Sequence, residues 1–198
     1  MSATVHRFRW RVVDIVVASA IGVAAGLVFF AWNLIYSPLT APLEAALPGL
    51  QALMYGVWLF AGVLGGLIIR KPGAAVFVEI VAATVSALLG AQWAFLTLEA
   101  GLVQGLGAEL IFLLFFYSNW RAFVAVLAGA ASGLAMAIND LILWYPGASV
   151  EFALIYGVSA IISGGVIAGL GSWLLARGLA RTGALNRFAA GRETTARV

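Results

Sequence analysis

The sequence predicts an all-α integral membrane protein, a six-transmembrane-helix bundle with both termini in the cytoplasm. Three observations carry this. Of the 198 residues, 64% are hydrophobic and only 10% charged, with a mean hydropathy of +1.07, whereas soluble domains carry about 25% charged residues. The apolar residues fall into six runs, each near the ~20 residues that a helix needs to cross the hydrocarbon core. All eleven basic residues lie on one side of those runs, the side that the positive-inside rule assigns to the cytoplasm.

The runs are placed at 12–35, 50–69, 73–91, 101–118, 121–143 and 152–176. Residues 1–11 form a cytoplasmic N-terminal segment, 12–176 the membrane domain and 177–198 a basic cytoplasmic tail. Arg7, Arg9 and Arg11 precede the first run, Arg70 and Lys71 separate the second from the third, and Arg121 opens the fifth. Arg177, Arg181, Arg187, Arg192 and Arg197 follow the sixth. Glu44, Glu99 and Glu151 mark the opposite loops, which contain no Lys or Arg. The basic charge therefore reads as a topology signal, and no nucleic-acid partner is expected. With no cysteine and one histidine, His6, disulfides, thiol catalysis, resident cofactors and the usual transition-metal sites are not expected either.

The first run is longer than a signal-peptide core, so it is expected to be a span and not a cleaved leader. It carries the small-residue stripes Ala18-x3-Gly22-x3-Gly26 and Ala20-x3-Ala24, which let helices approach closely in lipid. From spacing alone these suit packing inside the bundle and an external partner equally. The proline-punctuated stretch Pro38 to Pro48 is expected to form a separate short helix on the outer surface. In the second run, Tyr55 and Trp58 share a face with Gly62. In the third, Glu79 lies on a stripe with Ala83, Ser86 and Gly90 at mid-membrane depth. In the sixth, Ser159, Ser163, Gly164, Gly165, Ala168 and Gly169 form a face expected to pack internally.

The stretch Gly101-Leu-Val-Gln-Gly-Leu-Gly-Ala-Glu109 places a carboxylate in a membrane helix, at a cost of about 2.5–3.5 kcal/mol by insertion scales. Such a residue faces a partner, a cavity or a ligand. Gln104 and Glu109 lie about 140° apart on a helix, with small residues between them. Asn139 and Asp140 close the fifth run near the outer face, together with Trp93 and Trp144. A ligand arriving from outside meets aromatic rings and carboxylates without fixed positive charge, a lining that suits a cationic aromatic solute. For Asp140 itself, a water-facing helix end is the expected role. Two other classes remain open at this point: a ligand-free scaffold, in which Glu79 and Glu109 pair within the bundle and no outer cavity exists, and a membrane enzyme using the two carboxylates as acid and base.

Arg9-Trp-Arg-Val-Val-Asp-Ile15, Tyr55-Gly-Val-Trp58, Ile69-Arg-Lys-Pro-Gly-Ala-Ala75 with Glu79, and the Gly101 to Glu109 stretch together resemble the YkoE family. These are the substrate-binding S components of energy-coupling factor (ECF) transporters, associated with thiamine and its hydroxymethylpyrimidine precursor. The resemblance spans residues 9 to 176. It implies six helices with an outward-facing pocket, a transmembrane coupling subunit and two ATP-binding subunits as partners, and docking on the coupling subunit through Ala20, Ala24 and nearby Gly22. Glu109, Gln104, Glu79, Trp58, Tyr55, Trp93 and Asn139 are the expected ligand-binding residues, Glu109 foremost. The chain lacks a Gly-x4-Gly-Lys-Ser/Thr sequence, so no ATPase of its own is expected. It also lacks the His and Cys ligands that would suit cobalt.

Overall fold

The computed structural model describes residues 8–183 together with Leu185, Phe188, Ala190 and Gly191. His6, Arg7, Arg187, Arg192 and Arg197, read above as part of the N-terminal segment and the tail, lie outside the described residues. Among those described, the chain is helical with no strand: α1 (Val12–Ala46), a 3-10 segment (Leu50–Trp58) running into α2 (Phe60–Ile69), α3 (Ala74–Leu88), α4 (Leu96–Leu114), α5 (Ala122–Leu143), and α6 (Val150–Ser163) continuing through a π-helical stretch (Gly164–Leu170) into α7 (Gly171–Arg181). Five of these helical stretches are long and apolar enough to cross a membrane, while α3, with 15 residues, is shorter.

One expectation is corrected. The stretch from Pro38 is not a separate surface helix, because α1 continues unbroken to Ala46 with Pro38 and Pro42 inside it. Each proline removes one donor, but the two are four residues apart, so they share one face. Both are exposed, so neither ring has to be fitted into the packed interior of the bundle. At 1.5 Å per residue α1 is roughly 52 Å long, so part of it extends past a ~30 Å hydrocarbon layer.

Glycines let the helices close around α3. A Cβ on Gly22 or Gly26 of α1 would lie 2.6 Å from Val81 or Val85, one on Gly65 of α2 2.5 Å from Val78, and one on Gly101 of α4 2.6 Å from Ala83. Without a hydrophobic drive between helices in lipid, this close approach supplies the van der Waals contact that holds them. Gly22 is thus buried against α3, whereas Ala20 and Ala24 stay exposed, so the first helix divides its small residues between two faces. The small-residue face of the sixth run packs internally: Ser159, Ser163, Gly164, Gly165, Ala168 and Gly169 are all buried. A Cβ on Gly129 would sit 2.1 Å from the Gly164 carbonyl oxygen, and one on Gly133 2.2 Å from that of Ala160.

The end carrying Arg70 and Lys71 is fastened by polar contacts. Asp14, fully buried, accepts hydrogen bonds from the Arg11 backbone N–H (2.8 Å) and guanidinium and from the Lys71 ammonium. Trp10 Nε1 donates to the Pro72 carbonyl at 2.9 Å. The Arg9–Ile15 and Ile69–Ala75 sequences are thereby two halves of one junction.

We expect Gly129→Val to lower stability by about 3 kcal/mol or more, since its side chain meets backbone that cannot retreat. Gly157, where an added Cβ would meet nothing within 4 Å, serves as the control: Gly157→Ala should leave the thermal midpoint in detergent unchanged or slightly raised.

Candidate ligand-binding site

A cavity of about 340 Å³ opens at the end of the bundle remote from the Lys71 junction, between α1, the 3-10 segment and α3 to α6. Its size falls within the ordinary range for small-molecule sites. Helical spacing brings Phe29, Asn33 and Tyr36 of α1 to it at i, i+4 and i+7, and Met136, Asp140 and Trp144 on and just beyond α5 at i, i+4 and i+8. Tyr55 and Trp58 come from the 3-10 segment, where side chains three residues apart eclipse each other. Their ring centroids are 5.1 Å apart.

Eight aromatic residues line the cavity, several of them forming a connected cage. Trp58 stands perpendicular to Trp93 at 5.5 Å, Tyr36 contacts Trp58 at 4.9 Å and Trp93 at 5.8 Å, and Tyr55 contacts Tyr156 at 6.1 Å. Such edge-to-face and tilted pairs are the preferred geometries of aromatic contacts. Asn33 locks two walls together: its Oδ1 accepts from Trp58 Nε1 at 2.8 Å while its Nδ2 donates to Ser86 Oγ at 3.1 Å. Burial raises the Tyr145 phenol above its ordinary pKa, so it remains a neutral hydrogen-bonding group.

Among the described residues, the lining contains two carboxylates, Glu99 and Asp140, and no Lys, Arg or His. Tyr156 donates its hydroxyl to Asp140 Oδ2 at 2.5 Å, and Asn139 Nδ2 donates to Glu99 Oε2 at 3.1 Å. Each carboxylate is therefore oriented from behind. The Gln104 side-chain amide faces the cavity without a hydrogen-bond partner among the described residues, its backbone carbonyl accepting from Ser132 Oγ. The arrangement attracts a cation with a flat ring and offers it acceptors at fixed positions.

Of the residues expected at the site, Tyr55, Trp58, Trp93 and Gln104 line this cavity. Asn139 stands behind it, holding Glu99. Glu79 lies one helical turn beyond Ala83, buried, where its Oε2 accepts from the Gly62 N–H at 2.5 Å and its Oε1 has no partner among the described residues. Glu109 is elsewhere. Its carboxylate accepts from the Gly73 N–H (2.6 Å), the Ala75 N–H (2.9 Å) and the Tyr117 hydroxyl (2.7 Å), at the opposite end of α3. The physical reason is common to both: helix N-termini leave N–H groups unsatisfied, and these carboxylates cap α2 and α3 from neighbouring helices. Pairing within the bundle is what a ligand-free scaffold would show, but a scaffold would have no outer cavity. Asp140, expected to face water at a helix end, instead lines the cavity with Glu99, Asn33, Tyr36, Tyr145 and Tyr156. The i, i+4, i+7 spacing of Phe29, Asn33 and Tyr36 is the sequence signal for the first helix's share of the site.

Fold and helix composition together define a multi-pass membrane protein with a cavity open at one end of its bundle. A solved structure described as an S-component of ECF transporter superposes with a TM-score of 0.87 and 34% identity, covering 96% of this chain and 95% of that one. The Bacillus subtilis (strain 168) protein YkoE, named as an HMP/thiamine permease protein, is 37% identical over 188 residues, 93% of this chain and 92% of its own length. Residues 13–135 match the family described as ABC-type cobalt transport system, permease component. The chain belongs to the YkoE family of ECF-transporter S components.

We expect Glu109→Ala to destabilise the protein by about 1–3 kcal/mol, because two helix N–H groups and a phenol lose their acceptor. Thermal unfolding in detergent reads this, and an unchanged midpoint would contradict the capping role.

Proposed function

We propose that this chain is the substrate-binding subunit of an ECF-type importer, capturing thiamine or its hydroxymethylpyrimidine precursor from outside. It would pass the solute on with a transmembrane coupling subunit and two ATP-binding subunits. The observation that carries this reading is the aromatic cage bearing Glu99 and Asp140 with no basic residue in its lining among the described residues. Thiamine's thiazolium is a permanent cation, and ring faces attract a cation by about 0.5–2 kcal/mol each. Trp58, Trp93, Tyr36 and Tyr55 are the faces available to it. Its aminopyrimidine edge has donors and acceptors for Gln104 and Asp140. The aminopyrimidine is the part that thiamine and HMP share, the two solutes for which YkoE, a relative along nearly the whole chain, is named.

Cobalt as cargo fits less well. Divalent cobalt favours imidazole, thiolate or clustered carboxylates, and among the described residues the cavity lining contains neither His nor Cys, and its two carboxylates are separately held by Asn139 and Tyr156.

The same reading has six membrane crossings with both termini cytoplasmic. Helix α3 is the short one, about 22 Å long at 1.5 Å per residue, and its junction with α1 through Asp14 and Lys71 would lie at the cytoplasmic surface. Ala20 and Ala24, exposed on α1, would form the coupling subunit's landing surface, while Gly22 serves the bundle.

A calorimetric titration of the detergent-solubilised chain with thiamine and with hydroxymethylpyrimidine tests the proposal. We expect saturable binding of at least one, weakened tenfold or more by Asp140→Asn and by Trp58→Leu, a loss of at least ~1.4 kcal/mol. Glu109→Gln, remote from the cavity, should stay within twofold. Failure of both compounds to bind the folded wild-type chain, or equal losses in Glu109→Gln and Asp140→Asn, would reject it.

A further inference from the structure

The wall that α4 contributes to the outer cavity has two polar side chains that the protein leaves uncommitted. Asn33, Ser86 and Tyr156 engage neighbouring side chains. Gln104, by contrast, is buried and lines the cavity with its side-chain amide unpartnered among the described residues. Thr97 lines it as well, and its Oγ1 is buried without a hydrogen-bond partner. This sets it apart within the chain. Of the four threonines described, Thr40, Thr84 and Thr182 each donate to a backbone carbonyl three or four residues back, the common outlet for such a hydroxyl in a helix. A buried hydroxyl without a partner is costly, and a solute group beside Thr97 supplies the missing bond. A staggered step about χ1 moves the hydroxyl to either of the other two positions on Cβ, so its burial does not keep it from a solute in the cavity.

The spacing of the two residues orders the site. Seven positions apart on α4, they lie within about 20° of one helix face and roughly 10.5 Å apart along its axis, Thr97 in the first turn and Gln104 two turns deeper. Asn139, the neighbour of Asp140, bonds Glu99, which sets Asp140 at a level between them. Down the cavity the groups therefore run hydroxyl, carboxylate with aromatic cage, amide. Thiamine has a matching order: a hydroxyethyl group, the thiazolium cation, and an aminopyrimidine whose amino group and ring nitrogen pair with the two ends of an amide. Resting on the reading of this cavity as a thiamine site, we propose that Thr97 is a specificity-determining residue, its hydroxyl bonding the hydroxyethyl group while Gln104 holds the pyrimidine beneath. Hydroxymethylpyrimidine, which ends before the thiazolium, does not reach Thr97.

Calorimetry on the full chain in detergent, with thiamine and an analogue bearing ethyl in place of hydroxyethyl, tests this as a cycle of one residue against one ligand group. We expect the wild type to prefer thiamine at least fivefold, Thr97→Val to bring the two compounds within twofold, and Thr97→Ser to restore the preference. Gln104→Leu should weaken both at least fivefold and keep their ratio. Ligand-free Thr97→Val should melt at or above the wild-type midpoint, since it removes a hydroxyl that lacks a partner; Thr97→Ala repeats the cycle if the valine variant does not fold. A preference unmoved by Thr97→Val, or one abolished by Gln104→Leu instead, overturns the proposal. So does a lowered midpoint in the valine variant, which would make the hydroxyl structural. A wild type that binds hydroxymethylpyrimidine but not thiamine overturns it while leaving the importer reading in place, and failure to bind either compound rejects both.

Discussion

A backbone N–H without a partner inside a bilayer costs several kcal/mol, and the placement of Glu79 follows from that constraint, with Glu109 meeting the same need at the more open start of α3. The second helical stretch changes from 3-10 to α-helix near Leu59, leaving the Gly62 N–H to Glu79. The third starts at a glycine turn, leaving the Gly73 and Ala75 N–H groups to Glu109. Each carboxylate reaches across from a neighbouring helix, so capping also fixes which helices adjoin. α3 is therefore tied at both levels, to α2 through its own Glu79 and to α4 through its N-terminus. Its glycine-faced neighbours close on the same helix.

This arrangement separates support from recognition. The buried Glu79 and the half-buried Glu109 hold backbone, while the carboxylates that line the outer cavity, Glu99 and Asp140, are steadied by Asn139 and Tyr156. The helix change near Leu59 has a second consequence. By continuing as 3-10 helix from Leu50, the chain eclipses Tyr55 and Trp58 on one wall, where Asn33 fastens the indole. The same irregularity thus frees an N–H for Glu79 and aligns two rings of the cage.

The helical class, the membrane setting and the internal packing of the Ser159 to Gly169 face were legible in the sequence, because hydropathy and small-residue spacing are local properties. Part of the aromatic lining was legible as well, since Tyr55, Trp58 and Trp93 stand out as rings near helix ends, whereas Phe29, Tyr36 and Tyr156 are hidden within long apolar helices. The roles of the carboxylates were not. An acidic residue in an apolar run reveals that it needs a partner but not whether the partner is a ligand or a helix N-terminus. For Glu109 the answer depends on the Gly73 turn, 36 residues away in sequence. The apolar run placed from 101 starts as a helix at Leu96, which moves Glu109 towards the far end. Pro38 and Pro42 suggest a break because each removes a donor, yet their shared exposed face lets α1 continue.

The central claim is that the cage selects its solute by positive charge. The most direct test is to compare, by calorimetry on the same folded preparation, thiamine with an uncharged analogue in which a thiophene ring replaces the thiazolium. Shape and pyrimidine contacts are then held nearly constant. The account predicts at least a tenfold loss of affinity for the neutral ring, about 1.4 kcal/mol, in keeping with two or more ring faces acting on the cation. Equal affinity for the two compounds would contradict it, leaving the rings as shape-matching walls and the two carboxylates without a role in selecting charge.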